Sequence, residues 1–75
     1  MITSISTPLL RTRLAKNLRS LRTAQGVSQE ALAELAGFHR TYISQVERGI
    51  NSITLDNLEK LAHALNVDAV VLLQP

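Results

Sequence analysis

Two short helical patterns separated by a turn signal occupy the stretch from Gln29 to Arg48. Counting Gln29 as the first position, the small Ala33 is fifth and Gly37 is ninth. A fifth residue without bulk lets a second helix cross close to the first, and a glycine at the turn adopts positive φ without steric cost. The spacing therefore predicts a helix-turn-helix motif.

Apolar residues at helical spacing supply the inner faces of both helices. They are Leu32, Leu35, Ala36, Ile43 and Val46. With these side chains turned inward, the opposite side of the second helix is presented outward.

Composition favours a small helical domain. The chain has 75 residues, enough for one domain whose core must be efficient or assisted by a partner chain. Hydrophobic residues make up 45% of the sequence but aromatics only 3%, so the core must use Leu, Ile, Val and Ala. There is no cysteine, which excludes disulfides and zinc–thiolate sites.

Capping and stop signals divide the chain into five helices. We expect a flexible lead-in of residues 1–7, then a single all-α, compact five-helix domain over residues 8–75. The expected helices cover about Pro8–Ala24, Gln29–Ala36, His39–Arg48, Leu55–Leu65 and a C-terminal segment through Leu73. The expected N-caps are Thr7, Ser28, Thr54 and Asp68, and the expected stops are Gly26, Gly37, Gly49 and Asn66.

Further apolar stripes appear on the first and fourth helices. On the first they are Leu10, Leu14, Leu18 and Leu21, and on the fourth Leu55, Leu58, Leu61, Ala62 and Leu65. Ile53 can act as a staple against Leu58. By composition, Val70–Leu73 fits a strand as well as a helix, and its all-helical context favours the helix.

Basic residues are concentrated at the start of the chain. Net charge is +2, but residues 1–22 contain five basic side chains and no acid. Such a cluster is compatible with a polyanionic partner or simply with a solvated face.

Several other classes of protein are disfavoured. The longest apolar run, Ala69–Leu73, is far shorter than the roughly 18 residues of a membrane span, and residues 1–8 do not resemble a secretory signal, so we expect a cytoplasmic protein. We find no set of catalytic residues that would indicate an enzyme. His63 fits a surface position, and no further metal-ligating residue accompanies Glu30 and Glu34. We expect no catalytic residue, metal or cofactor.

Three segments resemble the lambda-repressor-like, Cro/XRE-type helix-turn-helix family. They are LRSLRTAQGVSQEALAELAG, HRTYISQVERG and ITLDNLEKLAHALNV, between residues 18 and 67. The RTYIS core also resembles the restriction-modification controller proteins, small regulators of their own operon. The resemblance implies a sequence-specific regulator of transcription that binds double-stranded DNA as a homodimer on a pseudo-palindromic operator.

A recognition helix of this kind reads base edges from its exposed start. Here that start carries His39, Arg40, Thr41 and Ser44, which we predict to contact bases; the alternative is an ordinary solvated surface. Arg40 is the first choice, because a guanidinium can bond guanine O6 and N7 together.

We expect a second group of side chains to contact the DNA backbone. The resemblance assigns Gln29 at the start of the second helix to a phosphate, and we add Tyr42, Gln45, Arg48, Asn51, Ser52 and Thr54. Tyr42 can instead pack its ring inward and expose only its hydroxyl.

The resemblance implies one structural ion pair, between Arg22 and Glu47. We place the homodimer interface on Val70, Val71 and Leu73, whose alternative role is to cap the core of a monomer. A competing function is an antitoxin or other protein-interaction module built on the same domain.

Overall fold

The computed structural model describes residues 9–75, which form four α-helices and one short 3₁₀ helix. The helices are α1 Leu9–Ala24, α2 Gln29–Ala36, α3 Arg40–Glu47 and α4 Leu55–Ala64, followed by the 3₁₀ helix Ala69–Leu73. The expected lead-in of residues 1–7, the Thr7 cap and the helical start at Pro8 lie outside the described residues.

Local signals set the ends of α2 as predicted. The Ser28 hydroxyl accepts a hydrogen bond from the backbone N–H of Ala31 at 2.9 Å, which caps the helix. Gly37 has φ 78°, and Phe38 N–H donates back to the Ala33 carbonyl at 2.8 Å. This closure satisfies the end of α2 and starts the turn into α3.

The fourth helix also follows its predicted caps. Thr54 Oγ1 accepts from the backbone N–H of Asn57 at 3.0 Å. Asn66 takes the left-handed conformation with φ 57°, as expected for a stop after the helix.

The expected fifth α-helix is wrong, because Ala69–Leu73 is a 3₁₀ helix. Asp68 still caps it, accepting from Val70 N–H at 2.9 Å. Asn17 of α1 donates from Nδ2 to the carbonyls of Leu72 at 3.0 Å and Gln74 at 2.7 Å, so these carbonyls are bonded to α1 rather than to a further helical turn. Gln74 precedes Pro75 and is extended, with ψ 149°, since proline disfavours the α region for the residue before it.

The core lies where α1 packs against α3 and the 3₁₀ helix, and α4 against α2 and the 3₁₀ helix. Its buried side chains are Leu14, Ala15, Leu18, Leu32, Ala33, Ile43, Val46, Leu58, Leu61, Ala62, Leu65 and Leu72. Ile53 and Leu21 pack partly buried against this cluster. Because Ile43 and Val46 of α3 are part of this core, the opposite side of α3 faces outward.

Three leucines expected in the core are instead exposed. Leu10 is 56% exposed, Leu35 64% and Leu55 80%. Leu10 and Leu55 lie in the first turns of α1 and α4, and Leu35 lies in the last turn of α2. At these helix ends the neighbouring elements no longer cover the apolar stripe.

Candidate nucleic-acid interface

α3 has a buried side and an outward side. Ile43 and Val46 are 0% and 1% exposed and define its inner side. At about 100° of rotation per residue, Thr41, Gln45 and Arg48 fall on one line on the opposite side, with Ser44 beside them. We call these four residues the outer face of α3.

His39 and Arg48 lie just outside the helical residues, although the sequence placed them within the helix. His39 is the N-cap, and its Nδ1 accepts from Thr41 N–H at 3.1 Å. The ring's other nitrogen, Nε2, is then the protonated one and can act as a donor. Arg48 is the C-cap and is exposed.

The first turn of α3 presents donors to solvent. Arg40 and Thr41 are both exposed there. α3 contains one acid, Glu47, whose side chain is only 3% exposed because it turns inward to Arg22. The outer face is therefore polar and free of negative charge, which suits a polyanion.

Glu47 is the centre of a network joining three helices. Arg22 of α1 donates from Nε to Oε2 at 2.6 Å and from Nη2 to Oε1 at 3.0 Å. Gln29 of α2 donates to the same Oε1 at 3.1 Å, and Arg22 Nη1 donates to the Val27 carbonyl at 2.8 Å. The contact between Arg22 and Glu47 that the resemblance implied is thus present.

The charge state of this pair follows from its bonding. The hydrogen bond to Glu47 raises the pKa of Arg22, while desolvation acts in the opposite direction and the charge of Glu47 adds to the rise. A raised arginine pKa keeps the guanidinium charged at every pH in ordinary use.

Gln29 has a structural partner that the sequence did not indicate. One of its amide protons goes to Glu47, which leaves the second amide proton and the backbone N–H at the start of α2. Those donors, at the positive end of a helix, can still meet a phosphate.

Tyr42 is partly buried and packs against the core, as in the alternative noted from the sequence. Its ring centroid lies 4.8 Å from that of Phe38 in the turn, with the planes tilted by 48°. Asn57 of α4 donates from Nδ2 to the hydroxyl oxygen at 3.2 Å. Asn57 was missed because this contact spans 15 residues and leaves no short-range pattern.

The loop after α3 returns to the helix. Asn51 donates from Nδ2 to Gln45 Oε1 at 2.7 Å, and Ile50 N–H donates to the Gln45 carbonyl at 3.2 Å. Ser52 and Thr54 are exposed beyond this point. The loop therefore extends the polar surface from the end of α3 to the start of α4.

The residues assigned to the dimer interface differ in exposure. Val70 is 64% exposed, whereas Val71 and Leu73 are half-buried. Leu73 also lines a groove of about 260 Å³, whose other apolar residues are Leu10, Leu14, Ile53, Leu55 and Leu58 and whose rim includes Arg11, Asn51, Ser52 and Thr54. We call this groove, together with Val70, the apolar end of the molecule.

The residues considered from the sequence as catalytic or metal-binding candidates do not form a site within residues 9–75. Glu30, Glu34 and His63 are exposed. Within residues 9–75, no three histidine or carboxylate side chains are grouped so as to hold a metal ion. In the same range, no helix has the length and hydropathy needed to cross a membrane.

A family model described as helix-turn-helix matches residues 18–72. The chain belongs to this helix-turn-helix family. The match covers α2, the turn and α3, and extends from the middle of α1 to the buried Leu72 of the 3₁₀ helix.

Relatives of this helix-turn-helix protein include named control proteins. Control protein C.SmaI of Serratia marcescens is 52% identical over 60 residues, which span 80% of this chain and 71% of that protein. Solved structures share the fold as well, and two of them illustrate the similarity. A hypothetical transcription factor from Neisseria has a TM-score of 0.85 at 44% identity, covering 100% of this chain and 88% of its own.

The second structure is a tetramer of the restriction-modification controller protein C.Esp1396I in complex with its natural 35 base-pair operator. It has a TM-score of 0.80 at 32% identity, covering 87% of this chain and 86% of its own. Similarity to control proteins thus appears both in sequence and in fold.

Proposed function

We propose that this helix-turn-helix protein is a transcriptional regulator of the restriction-modification controller type. It binds double-stranded DNA sequence-specifically as a homodimer on a pseudo-palindromic operator and regulates its own operon. The observation that supports this proposal is the outer face of α3, which is polar and contains no acid. Ile43 and Val46, on the opposite side of the helix, are buried in the core and fix its orientation.

Base readout is assigned to the start of α3. Arg40 bonds guanine, and His39, Thr41 and Ser44 add hydrogen bonds or, for Thr41, a methyl contact with thymine. An α-helix fits the major groove, and the exposed first turn of α3 is the part that reaches deepest.

Contacts to the DNA backbone set the register of the protein on the duplex. They are assigned to Gln29, Tyr42, Gln45, Arg48, Asn51, Ser52 and Thr54. The start of α2 and the loop after α3 flank α3, so these donors would hold it from both sides. A regulator of its own gene works beside that DNA, which makes the cytoplasm its proposed location.

A second copy of the chain is assigned to the apolar end of the molecule. Val70 and Leu73 are three residues apart in a 3₁₀ helix and therefore share a side. The groove beside them offers Leu10 and Leu55, both mostly exposed. Symmetric dimers are the usual way in which helix-turn-helix proteins read two half-sites.

The direct test compares wild type with Arg40→Ala on the DNA upstream of the gene and on an unrelated duplex. Fluorescence anisotropy at two salt concentrations should show salt-sensitive binding that prefers the upstream DNA. Arg40→Ala should lose that preference. Lys16→Ala, which removes the same charge from the exposed surface of α1, should retain it.

Equal weak binding of wild type to both duplexes would contradict the proposal. The protein-interaction alternative, an antitoxin-like module, would then be favoured. Co-purification of a second protein with the chain would be its supporting observation.

A further inference from the structure

Gln45 lies in the middle of the outer face of α3. It follows Thr41 by four residues and precedes Arg48 by three, so the three side chains leave the helix on the same side. Ile43 and Val46, which are almost fully buried, lie on the other side. If α3 occupies the major groove, Gln45 faces base edges as well as the backbone.

The amide of Gln45 is not free to choose its orientation. Asn51 Nδ2 donates to its Oε1 at 2.7 Å. The backbone bond from Ile50 N–H to the Gln45 carbonyl holds the loop at the end of α3, so Asn51 is carried back to the helix. The carbonyl oxygen of the amide is thereby turned to the loop, and its NH₂ group is left for an external partner.

This orientation changes what a glutamine can read. A free glutamine recognises adenine by two bonds, its carbonyl accepting from N6 and its NH₂ donating to N7. Asn51 occupies one of the two lone pairs of that carbonyl and turns the oxygen toward the loop, away from the position that the first of these bonds requires. The remaining donors match guanine, which presents acceptors at both N7 and O6, or thymine O4.

We propose that Asn51 fixes Gln45 as a donor-only reader, which selects guanine or thymine over adenine and cytosine at one position of each half-site. Gln45 determines specificity at that position, and Asn51 is a positioning residue that acts through it. The inference rests on the proposed DNA-binding function. It adds a base contact to the readout assigned to the first turn of α3.

The sharpest variant is Asn51→Asp. A carboxylate can only accept, so it would bond the NH₂ group of Gln45 and turn the amide over. The carbonyl of Gln45 would then face the groove and select bases that carry an amino group, adenine N6 or cytosine N4. Asn51→Ala would release the amide, and adenine would be tolerated as well as guanine.

The experiment selects bound molecules from a pool of duplexes with randomised sequence and derives base preferences for each variant. Wild type should favour guanine or thymine at one position, and Gln45→Ala should lose the preference there alone. Asn51→Asp should shift the ratio of acceptor-bearing to amino-bearing bases at that position by about tenfold or more. Ser52→Asp is the charge control, expected to weaken binding to all sequences without altering any preference.

Two results would overturn the inference while leaving the proposed function intact. In the first, Gln45→Ala gives the same preferences as wild type, so Gln45 contacts no base. In the second, Asn51→Asp weakens binding evenly, as Ser52→Asp does, and Asn51 does not set the orientation. Absence of any sequence preference in folded wild type would instead overturn the proposed function, and this assignment with it.

Discussion

Arg22 of α1 and Glu47 of α3 are joined by two parallel hydrogen bonds, at 2.6 and 3.0 Å, with side chains only 12% and 3% exposed. The pair connects the C-terminal end of α3 to α1, the longest helix within residues 9–75. A bidentate geometry of this kind fixes orientation as well as distance.

Removing Arg22 should destabilise the fold strongly. Arg22→Ala leaves the carboxylate of Glu47 buried without its cation, at an expected cost of about 3 kcal/mol in the free energy of unfolding. Urea denaturation of Arg22→Ala, Glu47→Ala and the double variant forms a double-mutant cycle. Arg19→Ala, exposed on the same helix, should change stability by less than about 0.5 kcal/mol. Additive effects in the cycle would show that the pair contributes nothing.

The turn between α2 and α3 should tolerate asparagine better than alanine. Gly37 has φ 78°, and within residues 9–75 no heavy atom beyond its two chain neighbours lies within 4 Å of a Cβ placed there. Gly37→Ala should therefore cost only the strain of the left-handed conformation, about 1 to 2 kcal/mol. Gly37→Asn should cost less, because asparagine adopts this region more readily. Thermal unfolding of both variants tests this, and equal losses would point to a steric cause.

The 3₁₀ helix should behave as part of the core. Leu72 is 0% exposed, so Leu72→Ala should lower the free energy of unfolding by about 3 kcal/mol. Val70→Ala, two residues away and 64% exposed, is the matched control and should change the stability of the monomer little. Similar small effects of both substitutions would mean that residues 69–73 are dispensable to the fold.

The apolar end should control association. Leu55 is 80% exposed at the groove, so Leu55→Ser should leave the monomer folded and weaken dimerisation. Sedimentation at micromolar concentration should show a shift from dimer toward monomer. Leu35→Ser removes a leucine that is 64% exposed on α2, away from this groove, and should have no such effect. A wild-type chain that sediments only as monomer would contradict the proposed dimer.

The sequence predicted the elements whose limits are set locally. α2 has the predicted ends because Ser28 and Gly37 act within a few residues of themselves. The helical period also identified Ile43 and Val46 as buried. These predictions needed no knowledge of distant residues.

The predictions that failed depended on contacts far apart in the chain. The period that places Leu55 in line with buried Leu58 does not show that the other elements within residues 9–75 leave the first turn of α4 uncovered. Asn17, which holds the carbonyls of the 3₁₀ helix, is 55 residues from Leu72. The pairings of Gln45 with Asn51 and of Tyr42 with Asn57 were missed for a related reason, since side-chain partners across a loop leave no periodic signal.

Because α3 has a buried side and an outer face, selection for folding and selection for DNA recognition act on different residues of the same helix. Substitution of Ile43, Val46 or Glu47 alters folding, whereas exposed positions such as Arg40 and Thr41 can change at a cost of about 0.5 kcal/mol or less. With the base readout proposed above, a lineage can therefore exchange one operator for another by a few surface substitutions without first acquiring a more stable scaffold. Diverging copies in one cell could thus become insulated from each other's DNA while remaining equally well folded.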